Sequence, residues 1–403
     1  MWKVMLYRLA QVAVRLVAPL MPWHEPDLLT GEGCIERLPE RLKADGVHKP
    51  LLVTGPMLRR LGAADGLLAA LQTQGMPCAV FSDVDADPTI ANVEAAVAAY
   101  RANGCDAIIA LGGGSPLDCA KLCGARIARP HRPVTALRGT LRVRRAIPPL
   151  YAAPTTAGTG SEVTVAAVVR DEHHRKFAVI DFALIPRVAV LDPALTYGMP
   201  RNVTVASGLD ALCHAVEAYV SRNATAKTRR ASVEAIKLIF ANLERAADNA
   251  QDREARTAMQ RAAYMAGVAF TRAYVGYAHA VAHAVGGRYG VAHGLACAIA
   301  LPAVLRAYGK AAEPALAAMA DATGFADAAQ TRADKAEAML AALESLQARL
   351  GVPEGYDQLQ SADIPVLAAQ AALEGNRTYP TPRILLRGTL ETLLHSLQTP
   401  HAA

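Results

Sequence analysis

Between residues 50 and 197 short apolar runs alternate with segments of helical periodicity, and that alternation constrains the fold more than any other feature of the chain. LLVTG (51–55), CAVFSDV (78–84), DAIIAL (106–111) and LYAAP (150–154) read as buried strands, followed by shorter β-like pieces, VTVAAVV, KFAVID and VAVLD. Between them, DPTIANVEAAVAAYRANG starts at Asp87-Pro88, carries apolar residues at helical spacing and stops at Gly104. SPLDCAKLCGARIA (115–128) reads as a helix with Ser115 at its N-cap and Pro116 in its first turn. Parallel neighbours need a crossover connection, which a helix supplies, so this pattern predicts a parallel, doubly wound sheet.

From about Asn202 the composition shifts to Ala-rich helical stretches, and LDPALTYGMP (191–200) has the Pro, Gly and Asp chemistry of a boundary. At 403 residues the length suggests two or three domains. The expected division is a basic amphipathic segment over 1–22, an α/β domain over 23–197 and an all-helical domain over 198–403. With 52% hydrophobic and 19% charged residues, global disorder is excluded. Seven cysteines, odd in number and never spaced C-x-x-C, exclude a disulfide-stapled module and fit a reduced, cytoplasmic protein.

The net charge of +6 is too small and too dispersed for a nucleic-acid binder. It is uneven, however: Arg126, Arg129, Arg132, Arg138, Arg142, Arg144 and Arg145 follow Lys121 with no acid among them. A solvated surface is the first reading, attraction for an anionic ligand the second. In residues 1–22, Lys3, Arg8 and Arg15 interrupt the apolar residues, which argues against a membrane span and a cleaved signal. Such a helix packs on the body of the protein, or makes peripheral contact with an anionic membrane.

Two glycine-rich elements follow strands. Gly112, Gly113 and Gly114 lie between a strand and a helix, the arrangement that offers backbone N–H groups and a positive dipole end to a phosphate. PTTAGTGSEVT (154–164) gathers Thr155, Thr156, Thr159 and Ser161 around Gly158 and Gly160. Two such loops at strand ends point to a dinucleotide laid across the carboxyl edge of the sheet. In the helical half, Asp210 and His214 stand one turn apart, as do His279 and His283, and His293 follows after Gly286, Gly287 and Gly290 break the helix. Four histidines and an acid at these spacings suit a divalent ion, without distinguishing which are ligands. Glu217, next to His214 on its helix, reads as an acceptor behind a ligand or a competing ligand.

GGGSPLDCAK (112–121), PTTAGTGSE (154–162), GLDALCHAVEAY (208–219) and HAVAHAVGGRYGVAHGLACAIALP (279–302) together closely resemble the iron-containing, or type III, alcohol dehydrogenase family. The resemblance implies an α/β dinucleotide-binding domain followed by an all-α metal-binding domain. It implies a homo-oligomer such as a dimer, and hydride transfer between an alcohol or aldehyde substrate and NAD or NADP. Its ligands for one divalent metal, Fe²⁺ first and Zn²⁺ second, would be Asp210, His214, His279 and His293, with His283 as a proton relay. Gly113, Gly114 and Ser115 would meet the pyrophosphate, Thr155, Thr156 and Thr159 would line the cofactor, and Asp118 and Lys176 fall on positions that face it. One departure stands out: Gly55 occupies a position where many members carry an acid for the adenosine 2′-hydroxyl, so a 2′-phosphate is no longer repelled and NADP(H) is expected to be tolerated or preferred; the alternative is that Gly55 is turn chemistry beside Pro56 and NAD(H) still wins. Glycerol-type dehydrogenases and dehydroquinate-synthase-like enzymes share the plan, and a non-catalytic NAD(P)-binding protein is the rival of another class.

Overall fold

The computed structural model describes residues 2–17, 21–173 and 175–399. Two compact units emerge, one comprising Pro22–Met199 and Asn249–Gly267, the other Met1–Met21, Pro200–Asp248 and Val268–Ala403. The N-terminal helix α1 (Trp2–Val17) belongs to the second. The first unit is α/β: β1 (Asp27–Thr30), α2 (Leu38–Ala44), β2 (Pro50–Val53), α3 (Pro56–Arg60), α4 (Asp65–Thr73), β3 (Ala79–Phe81), α5 (Ile90–Ala102), β4 (Ala107–Gly112), α6 (Gly114–Ala128), β5 (Gly139–Thr140), β6 (Leu150–Pro154), β7 (Ala166–Arg170), β8 (Lys176–Ile180) and β9 (Val188–Leu191).

Six strands pair in the order β1-β9-β6-β4-β2-β3, all parallel. A small second sheet, β5-β8-β7, contains the antiparallel β7/β8 pair. The main sheet is buried on both faces, which is why its central strands read as unbroken apolar runs. Along β4, Ile108 and Ala110 enter one core while Ala107, Ile109 and Leu111 enter the other. Strand order reverses at β2, because the chain runs outward to β3 and then lays β4 on the opposite side of β2. Ligands of such sheets bind beyond the carboxyl ends of the strands at that reversal. Gly55 follows β2 and Gly112–Gly114 close β4, while the register Gly112↔Pro154 brings the 154–164 loop alongside.

Several local expectations are corrected. β1 and β5 escaped sequence reading because neither carries a buried apolar run; β1 leaves Leu28 half exposed. Helix α5 starts at Ile90, after a capping box formed by Thr89 and Asn92, rather than at Asp87. Gly113, not Ser115, is the N-cap of α6, and the Ser115 hydroxyl donates to the Ala86 carbonyl. Helix α10 (below) runs through Gly286 and Gly287 and ends only at Gly290, whose φ of 72° is left-handed. An interior glycine weakens a helix by only ~1 kcal/mol, whereas a left-handed residue terminates it.

The second unit is built from α1, α7 (Arg201–Val220), α8 (Ala226–Asp248), the end of α9 (Arg253–Ala273), α10 (Tyr277–Tyr289), α11 (His293–Tyr308), α12 (Glu313–Thr323), α13 (Arg332–Arg349), α14 (Ile364–Thr378) and α15 (Arg387–Ser396). Residues 249–267, read above with the helical half, pack inside the α/β unit. There Gln260 Nε2 donates to the Pro154 and Asp192 carbonyls, at 3.4 and 3.2 Å, and the buried Arg256 guanidinium donates to Met199 O at 3.3 Å. Periodicity marks this stretch as helix but carries no information on what it packs against.

Helix α1 packs on its unit through Arg8, which donates to Thr381 O and Pro382 O at 2.7 and 2.9 Å, and through Gln11, which donates to Tyr379 O at 2.9 Å. Residues 1 and 18–20 of the N-terminal segment lie outside the described residues. No single described helix is long and apolar enough to cross a membrane.

Candidate metal and cofactor site

Three helices of the second unit bring the histidines and the acid together. Helix α7 carries Asp210 and His214 one turn apart, α10 carries His279, and α11 opens on His293. Close approach of α11 to α7 depends on Gly294: a Cβ there would sit 2.0 Å from Ala206 O and 2.9 Å from Asp210 Cβ. Gly294→Ala is therefore expected to destabilise the protein by about 1–3 kcal/mol and to loosen His293 from Asp210. Urea unfolding with metal analysis checks both, and an unchanged midpoint with full metal content would contradict it.

The Nε2 atoms of His293, His279 and His214 lie 3.5, 3.7 and 4.0 Å from Asp210 Oδ1. These distances exceed hydrogen bonds and approach the ~3.4 Å between neighbouring donors on a tetrahedral ion with ~2.1 Å bonds. Asp210 Oδ1 and His279 Nε2 are buried and make no hydrogen bond. Buried polar atoms are normally paired, so two orphans facing one another fit a cation between them. Burial raises the Asp210 carboxyl, yet the surrounding imidazoles of His214, His293 and His279 hold it well below the usual carboxylate range. Burial lowers the His279 imidazole, but Cys297, Asp210 and Glu217 more than reverse this and hold it well above its ordinary value. The pocket favours positive charge, and the donors fit a divalent metal.

Glu217 lies behind His279 and accepts from α10. Its Oε2 lies 2.6 Å from His279 Nδ1 and accepts from Gly276 N at 2.8 Å, while Oε1 accepts from Ala278 N at 2.8 Å. One carboxylate thus caps α10 and leaves His279 Nε2 facing Asp210. His214 is clamped between rings, stacked on Phe270 at 4.0 Å and on His279 at 4.5 Å between centroids. His283 stands outside the donor cluster. Its ring stacks on His293 at 5.2 Å, its side chain is 41% exposed, and its Nδ1 lies 2.7 Å from Glu374 Oε1. Tyr379 donates its hydroxyl to the same carboxylate oxygen. Burial raises the Glu374 carboxyl, and His283 and Tyr379 more than offset it, so the group stays below its ordinary value.

In the α/β unit the two glycine-rich loops lie against one another. A Cβ at Gly113 would meet Thr156 Cγ2 at 3.3 Å and one at Gly114 would meet Thr159 Cγ2 at 3.1 Å. Thr155 N donates to Gly112 O at 3.0 Å. The α6 N-terminus carries no side-chain cap, which leaves its N–H groups for an anion. Helix α6 also holds the second loop: fully buried Lys121 donates to Thr164 O, Thr164 Oγ1 and Ala166 O at 2.8–3.0 Å.

Residues 26–193 match the family model for iron-containing alcohol dehydrogenases, and residues 204–398 match the model for the C-terminal domain of the same family. The NAD-dependent methanol dehydrogenase of Bacillus methanolicus is 36% identical over 362 residues, covering 89% of this chain and 94% of that protein. The chain belongs to the iron-containing alcohol dehydrogenase family. The 1,3-propanediol dehydrogenase of Klebsiella pneumoniae is 38% identical over 360 residues, 88% of this chain and 92% of that one. A crystal structure of 1,3-propanediol oxidoreductase superposes with a TM-score of 0.89 at 34% identity, covering 93% of this chain and 99% of that one. Sulfoacetaldehyde reductase from Bifidobacterium kashiwanohense, solved in complex with NAD⁺, superposes with a TM-score of 0.84 at 28% identity, covering 94% and 100%.

Within this family member, two residues expected at the cofactor are engaged by protein groups. Asp118 accepts from Ser161 Oγ at 2.8 Å and Val168 N at 2.9 Å, which ties the second loop to α6. Lys176 pairs with Asp87 at 2.6 Å. Within the arginine-rich stretch, Arg126 binds Glu94 at 2.6 Å and Arg138 lies over the Phe177 ring. Sequence reading missed Glu374 and Cys297. No local pattern links Glu374 to His283, 91 positions away. Cys297, one turn after His293, carries the same spacing signal as the other pairs.

Proposed function

We propose that this dehydrogenase interconverts a short primary alcohol and its aldehyde, holding one divalent metal, Fe²⁺ or Zn²⁺, through Asp210, His214, His279 and His293. The carrying observation is the convergence of three imidazole nitrogens on a buried carboxylate oxygen that has no hydrogen bond. Relatives named for methanol and 1,3-propanediol favour a short substrate, while one named for long-chain alcohols, 36% identical over 328 residues, makes chain length the variable the panel must cover. When bound, the ion supplies Lewis acidity toward the substrate oxygen, and the nicotinamide accepts or returns hydride. Glu217 holds His279 in one tautomer, with Nε2 free to ligate. His283, exposed and backed by Glu374, passes the hydroxyl proton out at its ring nitrogen. Gly113, Gly114 and Ser115 at the α6 N-terminus bind the pyrophosphate, with Thr155, Thr156 and Thr159 beside it. An alcohol and aldehyde panel, run with both cofactors after loading each metal, tests the reading; absence of turnover throughout would sink it.

Gly55 sets cofactor choice in this reading, and NADP is accepted. Its φ of −99° suits any residue, and a Cβ would touch only Val84 O, at 3.5 Å. Gly55→Asp should therefore fold normally and repel a 2′-phosphate, lowering the kcat/KM ratio for NADP over NAD at least about tenfold. An unchanged ratio would remove Gly55 from cofactor selection. We place the enzyme in the cytoplasm as a homo-oligomer; its free cysteines are consistent with that compartment. The outer face of α1, where Met5, Leu6 and Leu9 are each at least half exposed, is where peripheral membrane contact would form.

A further inference from the structure

We propose that Cys297 is an additional, sulfur donor to the ion at this centre, an inference that rests on the metal reading above. One donor atom from each of Asp210, His279, His293 and Cys297 lies within 4.8 Å of all the others. Cys297 follows His293 by one turn of α11, so the helix presents an imidazole and a thiol in one stripe. Cys297 Sγ is 3.7 Å from His293 Nε2, the same nitrogen that lies 3.5 Å from Asp210 Oδ1. Other thiols in the chain show what packing alone looks like: Cys34 and Cys78 point at backbone carbonyls, Leu29 O at 3.4 Å and Ala79 O at 3.3 Å. Cys297 Sγ instead faces an imidazole nitrogen, His293 Nε2, in a pocket where two further donors, Asp210 Oδ1 and His279 Nε2, are buried without a hydrogen bond.

A thiol gives up its proton to solvent when it ligates, and the resulting thiolate is a soft donor. A set of imidazole, carboxylate and thiolate favours iron(II), cobalt(II) or zinc over magnesium and manganese, which prefer oxygen. Cys297 thereby becomes a determinant of which metal the site keeps. It would also hold that metal more firmly than the oxygen and nitrogen donors alone.

The test is cobalt(II) loading of the metal-free full-length protein, read by absorption. Wild type should bind one equivalent and show a near-ultraviolet sulfur-to-cobalt charge-transfer band together with the visible ligand-field bands. Cys297→Ser and Cys297→Ala should keep the visible bands, lose the charge-transfer band and release cobalt to a chelator at least about tenfold faster. Cys213→Ser, which removes the neighbouring buried thiol, should keep the band. Cobalt bound by wild type without the band, or a band that survives in both Cys297 variants, overturns the sulfur ligand and leaves the metal site standing. Loss of the band in Cys213→Ser assigns the sulfur elsewhere and overturns it too. Failure of wild type to bind cobalt at all overturns the metal reading and this inference together.

Discussion

Asp210→Asn is expected to purify without its divalent ion and to lose at least about three orders of magnitude in turnover. Asp210 is the only acid among the four proposed ligands, and its Oδ1 is the atom on which three imidazole nitrogens converge. The substitution preserves volume at a site 3% exposed, so packing around α7 should survive. Two things change. The site loses its negative charge, and an amide nitrogen can turn its N–H toward the imidazoles. Lewis acidity of the ion is worth several kcal/mol at the transition state, and about 4 kcal/mol corresponds to a factor near 10³. Metal analysis, steady-state turnover and a thermal melt on one preparation check the expectation. Full metal content in a folded Asp210→Asn protein would remove Asp210 from the ligand set.

Glu217 is expected to carry the largest stability effect. Three groups depend on its carboxylate: the backbone N–H of Gly276, that of Ala278 and the Nδ1 of His279. All are buried, so truncation strands them together. At ~1–3 kcal/mol for each unsatisfied group, and allowing for partial relaxation, Glu217→Ala should destabilise the protein by about 3–5 kcal/mol. Glu217→Gln separates structure from function. The amide oxygen can still accept on one side of the α10 cap, while its loss of charge leaves His279 less basic, and metal affinity should fall about 10–100-fold with a smaller change in stability than in Glu217→Ala. Denaturant unfolding of both variants, paired with chelator competition, tests this. Equal stability of Glu217→Ala and wild type would show that Glu217 does not cap α10.

Much of the centre was legible because short-range chemistry wrote it. Asp210 and His214, like His279 and His283, are spaced by one helical turn, and a helix of any packing keeps such pairs on one face. The glycine loops were legible for a similar reason, since a strand, three small residues and a helix start allow few other geometries. Glu374 was not legible: it reaches His283 from α14, through a contact that exists only once the helices pack. Ser115 misled because Gly113, two residues earlier, takes the N-cap position without any side-chain cap.

By itself, the sequence determined the alternation of the central strands and helices, the parallel sheet they imply, the two glycine-rich loops and the set of residues from which a metal site could be drawn. Each of these depends on periodicity or on backbone constraints over fewer than about twenty residues, where local sterics dominate. Only the tertiary structure decided which donors meet, that Glu217 stands behind His279 rather than beside Asp210, that residues 249–267 pack with the sheet, and that Cys297 Sγ comes within 3.7 Å of His293 Nε2. Those facts turn on helix–helix approach. Gly294 permits it at one crossing with no Cβ to spare, and a single glycine in a sequence does not say which helix it touches.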